Sequence, residues 1–267
     1  MEDSPVPGTP APLDGAIGSA PQVGAERDHN EAASSSSDGW ALQTAGRSVA
    51  SHARLWIVSA LGLTLDLWTK DWAVLNLGMR EPRVLIPDAL NLRLSLNPGA
   101  LFGLGAGLAP VFVGASVLAL IFVFYLFWQS TARQWSLHVA LGCVLGGAIG
   151  NLYDRTVVSA YVVEMADGRR DVGELIQTSP DGSRIRIADF KTGQNARPYD
   201  LRNANIYAAG PQPVVRDFIS VELKAFGYRL WPWIFNIADA LLVIGVSILL
   251  MNFWFDRRHM AATPTDQ

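Results

Sequence analysis

Cysteine is almost missing. Cys143 stands alone among 267 residues, which excludes an intramolecular disulfide and any thiolate cluster for a metal. Histidine is scarce as well, and His29, His52, His138 and His259 show no ligand spacing, so no metal site is expected. Charge is low, at 17% of residues with a net value of −3, and no basic stripe with interleaved aromatics occurs, so nucleic acid is not an expected partner. Also lacking is a basic start followed by a short apolar core. The first membrane span is therefore expected to be retained as a signal anchor rather than cleaved.

What the chain has in abundance is apolar residues, half of the total, and they stand in blocks. Residues 110–128, "PVFVGASVLALIFVFYLFW", carry no charge over 19 positions, enough to cross a hydrocarbon core of roughly 30 Å as a helix. Three further runs, about 55–75, 135–154 and 231–255, are interrupted only by a few charges. The expected fold is mainly α and integral to the membrane, with four transmembrane helices, a small extracytoplasmic β element and a β-rich insert.

Residues 1–48 are expected to form a disordered tail, because they are rich in Pro, Ala, Gly and Ser and bury little apolar surface. Residues 49–258 form the membrane domain and 259–267 a second tail. Lys and Arg near helix ends are held on the cytoplasmic side. Arg47 and Arg54, Arg133, and Arg257 with Arg258 flank the spans, so both termini are expected inside and the loops 76–109 and 155–230 outside. In the first loop "LNLRLSL" alternates like a strand. In the second, residues 156–214 hold Asp-Gly turn signals at 167 and 181 and the alternating "SRIRIADF", which suits a β-rich insert.

Two acids stand out at membrane depth. Asp154 lies 19 residues beyond Trp135, and Asp239 lies 18 residues before Arg257, so at ~1.5 Å per residue both sit ~27–29 Å from the inner boundary. Each follows an Asn by three positions, "NLYD" and "NIAD", which puts Asn151 with Asp154, and Asn236 with Asp239, on one helix face. Carboxyls at this depth need compensation. Two of them held close share one proton, and such a pair can act as general base on water and general acid on a leaving amine. The pair titrates jointly, which leaves the acid and base roles open. Gly142, Gly146 and Gly150 recur every four residues, a ridge that lets another helix come close.

These stretches resemble the lipoprotein signal peptidase (signal peptidase II) family over most of residues 52–258. "GGAIGNLYDR" at 146–155 looks like that family's Gly-Asn-x-x-Asp-Arg block, and "FNIADA" at 235–240 like its Phe-Asn-x-Ala-Asp block. "DLWTK" at 66–70, "NPGALFG" at 97–103 and "VRDFI" at 215–219 resemble its supporting elements. The resemblance implies an aspartic endopeptidase that removes the signal peptide from diacylglyceryl-modified prolipoproteins, cutting before the lipidated Cys. It implies Asp154 and Asp239 as the catalytic dyad. Asn97, Gly99, Asn151, Arg155, Asn236, Ala238 and Asp217 then line or support the site, with Asp66 and Lys70 supporting the fold. It implies no metal or organic cofactor, membrane lipid and prolipoprotein as partners, a monomer, and the bacterial cytoplasmic membrane as location, with the site near its outer face.

The chain departs from the family pattern in the roughly 60 residues between the third span and "VRDFI", in its amino-terminal tail, and at Leu101, where a second Ala is frequent. "IADFK" at 187–191 competes with "VRDFI" for the aspartate-phenylalanine element, and the short distance from Asp217 to "WPWIFNIADA" favours the latter. The competing function is a transporter or proton relay using paired carboxylates, although no inverted repeat is visible. A scaffold whose insert does the work is a second rival. A serine or lysine protease is a third, and Ser136 and His138 lie at the inner end of the third span, away from Lys70.

Overall fold

The computed structural model describes residues 43–99, 109–225, 228–229 and 233–261. Its longest element starts at Ser48, whose hydroxyl accepts a hydrogen bond from the Ser51 N–H at 3.3 Å and so satisfies one of the amides left over at a helix N-terminus. Helix α1 runs from there over Val49–Asn76, 28 residues. It is followed by α2 (Ala109–Gln129), α3 (Trp135–Val157) and α4 (Ile237–Ala261). The expected tail is shorter at its inner end: Ala45–Arg47 form a 3-10 turn, and the fully buried Ala45 donates from its N–H to Ser130 O at 2.9 Å. A residue as small as Ala fits under the link between α2 and α3. Residues 1–42, Leu101 and residues 262–267 lie outside the described residues.

Among the described residues three helices are long and apolar enough to cross a membrane, namely Pro110–Gln129, Trp135–Val157 and Ile237–Phe255. Helix α1 is not one of them. Asp66, Lys70 and Asp71 lower its apolar content, but Asp66 and Lys70 are fully buried, on the same stripe as Ser51, Leu55, Ser59 and Gly62. That stripe meets the glycine ridge of α3. A Cβ on Gly142 would come within 2.9 Å of Leu55 O, and one on Gly146 within 2.8 Å of Ser59 O. On the other side of α3, a Cβ on Gly147 would come within 2.5 Å of Ala238 O in α4. Helix α3 is therefore the central post, with α1 and α4 pressed against it at glycine spacing. The last span also starts later than expected, at Ile237, because the chain before it is used in a strand.

Two sheets stand at one end of the helices. The first has the antiparallel order β1 (Arg83–Ile86), β2 (Leu90–Asn97), β8 (Val215–Val221), β11 (Ile234–Phe235). The second, antiparallel throughout, is the insert. It comprises β3 (Ser159–Met165), β4 (Arg170–Thr178), β5 (Arg184–Ala188), β6 (Arg197–Asp200) and β7 (Ile206–Pro213), in the order β6-β5-β4-β3-β7. Gly168 and Gly182, in the two Asp-Gly turns, have φ of +81° and +70°, a conformation that glycine adopts without a Cβ clash. β9 (Lys224–Ala225) and β10 (Tyr228–Arg229) make a short hairpin.

The insert is not an appendage on a stalk. Ala160, Val162, Val172 and Phe190 share one buried cluster with Leu94, Leu96 and Phe218 of the first sheet and Ala73, Val74 and Leu77 at the end of α1. A second cluster, including Leu55, Val123, Phe127, Leu141, Leu145 and Leu249, fills the helix bundle.

Candidate active site

Between the helices and the two sheets lies a cavity of about 1170 Å³. Asn97, Gly99, Asn151, Arg155, Asp217 and Asp239 line it, with Phe112, Ala115, Ala119, Ala148 and Leu242 at its apolar end. Asp154, Asp66 and Lys70 are not among the described residues that line it.

Asp239 owes its place to the start of α4. Its carboxylate Oδ2 accepts from the Asn236 N–H at 3.2 Å, while its own N–H donates to Asn236 Oδ1 at 3.0 Å. This is a reciprocal capping box, with Asn236 as cap and Asp239 at the third helical position. The "NIAD" spacing therefore marks a helix start, not two residues on one face within a helix. "NLYD" lies within α3, and its two polar residues part company. Asn151 Nδ2 donates to Asp239 Oδ1 at 2.7 Å, whereas Asp154 points elsewhere.

Asp217 stands on β8 with both oxygens occupied. Oδ1 accepts from Asn236 Nδ2 at 2.7 Å, and Oδ2 accepts from Asn97 Nδ2 at 3.3 Å. Asn97 is itself turned by the Gly99 N–H, which donates to Asn97 Oδ1 at 3.0 Å. Gly99 has a φ of +88°, so the turn requires a glycine. Asn236 thus touches both acids, and its Nδ2 also donates to Asn151 Oδ1 at 3.2 Å. Burial, and then the negative field of Asp239, push the Asp217 carboxyl up to about 8, against the hydrogen bonds from Asn236 and Asn97.

The expectation that Asp154 faces Asp239 is corrected by this geometry. Asp154 has no exposed surface, and Arg216 closes on it from β8: its N–H donates to Oδ2 at 2.9 Å, and Nη2 pairs with Oδ1 at 2.7 Å. Lys70 Nζ lies 3.3 Å from Asp154 Oδ2 and 2.8 Å from Asp66 Oδ2. Arg216 also pairs with Asp71. Burial opposes the charge on Arg216, but its bonds to Asp154 and then Asp71 hold the guanidinium above its ordinary value.

The ion cluster sits directly behind the two acids of the cavity. Arg216, one residue before Asp217, is fixed by Asp154. Ala238, one residue before Asp239, donates its N–H to Asp66 Oδ1 at 2.8 Å. Lys70 Nζ also reaches Asn151 Oδ1 at 3.2 Å. The cluster therefore sets the register of both acid-bearing segments from behind. Arg155 turns into the cavity, with its guanidinium 4.9 Å from the Phe112 ring centre and Nη1 donating to Asn151 O at 3.3 Å. Among the described residues, no three His, Cys, Asp or Glu gather to hold a metal ion.

Sequence reasoning missed the part of Asp217 as the acid that shares Asn236 with Asp239, and missed Arg216 altogether. The available signal was the run "VRDF" itself: in a strand, Arg216 and Asp217 must face opposite sides, so one serves the ion cluster and the other the cavity.

The sequence profile of the family described as Signal peptidase (SPase) II matches residues 58–255. A lipoprotein signal peptidase of Desulfitobacterium hafniense is 23% identical over 209 residues, 78% of this chain and 98% of that relative. One from Streptomyces griseus is 28% identical over 68% of this chain and 82% of its own length. One from Rhodopirellula baltica is 42% identical, but over only 35% of this chain and 44% of its own. A solved bacterial membrane enzyme, determined by the in meso method, overlays with a TM-score of 0.50 at 22% identity, covering 79% of this chain and 93% of that one, and the two share a fold. With the profile match running from α1 nearly to the end of α4, the chain belongs to the signal peptidase II family of membrane proteases.

Proposed function

We propose that this lipoprotein signal peptidase is an aspartic endopeptidase whose working pair is Asp217 and Asp239. The observation that carries the reading is the convergence of both carboxyls on Asn236 at one cavity wall, with 2.7 Å and 3.2 Å contacts. Asp217 in this setting holds its proton up to about pH 8. The ionised member takes a proton from water as its oxygen attacks the scissile carbonyl. The protonated member hydrogen-bonds the carbonyl oxygen, and a proton then passes to the leaving amine as the C–N bond breaks. Asn97, Asn151 and Asn236 hold the pair, Gly99 turns Asn97, and Arg155 offers a cation at the rim. Asp154, Asp66, Lys70 and Ala238 position it from behind.

The cavity joins an apolar end, at Phe112, Ala115, Ala119 and Leu242, to a polar end under the sheets. This suits a substrate that is greasy on one side of the cut, a prolipoprotein with its diacylglyceryl group and apolar signal segment. We read α1 as a fourth span. Trp56, Ile57, Leu61, Leu65 and Trp68 point outward from it, as Val111, Leu118, Ile121 and Phe122 do from α2, while its buried charges face α3. Four spans would leave both termini on one side, which the flanking Arg47, Arg54, Arg133, Arg257 and Arg258 support as the cytoplasm, and we read the acids as lying near the outer face of the bacterial cytoplasmic membrane. Every group named comes from one chain, so a monomer suffices.

The test is to incubate the purified protein in detergent with a diacylglyceryl-modified precursor peptide and weigh the products. The expected result is one cut immediately before the modified Cys, absent with Asp239→Asn. Cleavage elsewhere, or an unimpaired Asp239→Asn protein, would reject the reading.

A further inference from the structure

The cavity extends past the two acids to an outer end between β2 and the insert. On the insert side it is lined by Arg170, Asp171, Asp189 and Arg197. These charges are already matched. Arg197 pairs with Asp171 at 2.6 Å and Asp189 at 2.8 Å, and Arg170 pairs with Glu164 at 3.0 Å. The insert wall is therefore a fixed surface held by internal ion pairs.

The facing wall is different. Arg93, Ser95 and Asn97 of β2 all line the cavity, while Leu94 and Leu96 between them are buried in the core. The alternation of exposure along β2 breaks once, at Leu92–Arg93. There the register against β8 shifts, three steps from Leu92 to Ser95 spanning two from Ile219 to Asp217. This extra residue is a β-bulge, a device that re-aims a side chain beside a site. Among the described residues Arg93 has no carboxylate within ion-pair distance. A half-buried, unmatched cation has thus been turned toward the cavity, which Arg80 also lines.

We propose that this outer end is a subsite for the substrate chain beyond the scissile bond, where Arg93 selects an acidic side chain about two to four residues past the cut. The spacing follows from the strand. Asp217 lies opposite Ser95, two residues from Arg93 along β2, which is ~7 Å at ~3.3 Å per residue, and the length of the Arg93 side chain adds to that reach, so the selected residue stands about two to four residues past the cut. The direction follows from the apolar end of the cavity, which takes the signal segment and lipid and leaves the polar end for the mature chain. The inference rests on the cutting reaction proposed above.

The experiment measures kcat/KM for lipidated precursor peptides that carry Glu, Gln or Lys at the first, second or third position after the modified Cys. The wild-type protein is expected to prefer Glu over Gln by roughly tenfold. Arg93→Gln is expected to bring that ratio to about one, and Arg93→Glu to turn the preference toward Lys. A purely structural role for Arg93 would lower all rates together and leave the ratio standing. Equal rates on Glu and Gln peptides with the wild-type protein would overturn the subsite and leave the cutting reaction intact. A loss in Arg93→Gln that is uniform across peptides and restored by anionic lipid would overturn it in favour of a lipid headgroup. Failure of the wild-type protein to cut any of the peptides would overturn both readings.

Discussion

Two aspartates separated by 85 residues of chain, Asp154 and Asp239, share the same motif spacing but have different chemistry, and the difference lies in their neighbours. Asp154 is enclosed by Arg216 and Lys70, so its charge is neutralised and it is closed to substrate. Asp217 is buried beside another acid, so its carboxyl holds its proton to about pH 8 against the amide hydrogen bonds from Asn236 and Asn97. The sign of the pH effect follows. If Asp217 works in its protonated form, cleavage falls as pH rises through about 8, where it loses that proton, and an alkaline limb of the rate profile is expected there. Stability follows the same sign. A carboxyl raised in the folded protein from 3.8 favours folding most at pH below that value, and the benefit is lost as pH rises toward 8. The melting temperature in detergent should therefore fall between about pH 4 and pH 8, and Asp217→Asn should flatten that decline. An equally steep decline in the variant would show that the proton sits elsewhere.

Among the elements, α3 is the one on which the others depend. Its glycines admit α1 on one side and α4 on the other, and through them the ion cluster reaches both acid-bearing segments. Gly146→Ala would force a Cβ to 2.8 Å from Ser59 O, a backbone atom that cannot swing aside. The expected cost is about 1–3 kcal/mol, read as a lower melting temperature, and an unchanged value would contradict the close approach. The glycine spacing made this packing legible in the sequence, as apolar blocks did for the helices and Asp-Gly pairs did for the insert turns. The choice of partner acid was not legible. "NxxD" describes both a capping box and two residues on one helical face, and only the break before α4, where Ile234–Phe235 form a strand, separates the two. The Asp154–Arg216 contact spans 62 positions, across the insert, and no local pattern announces it.

At the scale of the whole molecule, the insert is part of the enzyme's architecture. It shares a buried core with the first sheet and α1 and walls one end of the cavity. Its ends meet: Val214 N–H donates to Val158 O at 3.1 Å, so residues 159–213 can be removed and the gap closed by a short linker. Because this uncovers Leu94, Leu96 and Phe218, the shortened protein is expected to melt at a lower temperature and to aggregate in size-exclusion chromatography. A shortened protein as stable and monodisperse as the full chain would mark the insert as a separate appendage.

The central claim is that hydrolysis runs on Asp217 and Asp239, with Asp154 behind them as a structural anion. The most direct test compares Asp217→Asn and Asp154→Asn for both cleavage of a lipidated precursor and thermal unfolding. The account predicts that Asp217→Asn stays folded and loses about 10³-fold or more in cleavage rate. Asp154→Asn should be destabilised by about 3–5 kcal/mol, because Arg216 and Lys70 lose their shared partner. A folded Asp217→Asn protein that cuts at close to the wild-type rate would contradict it.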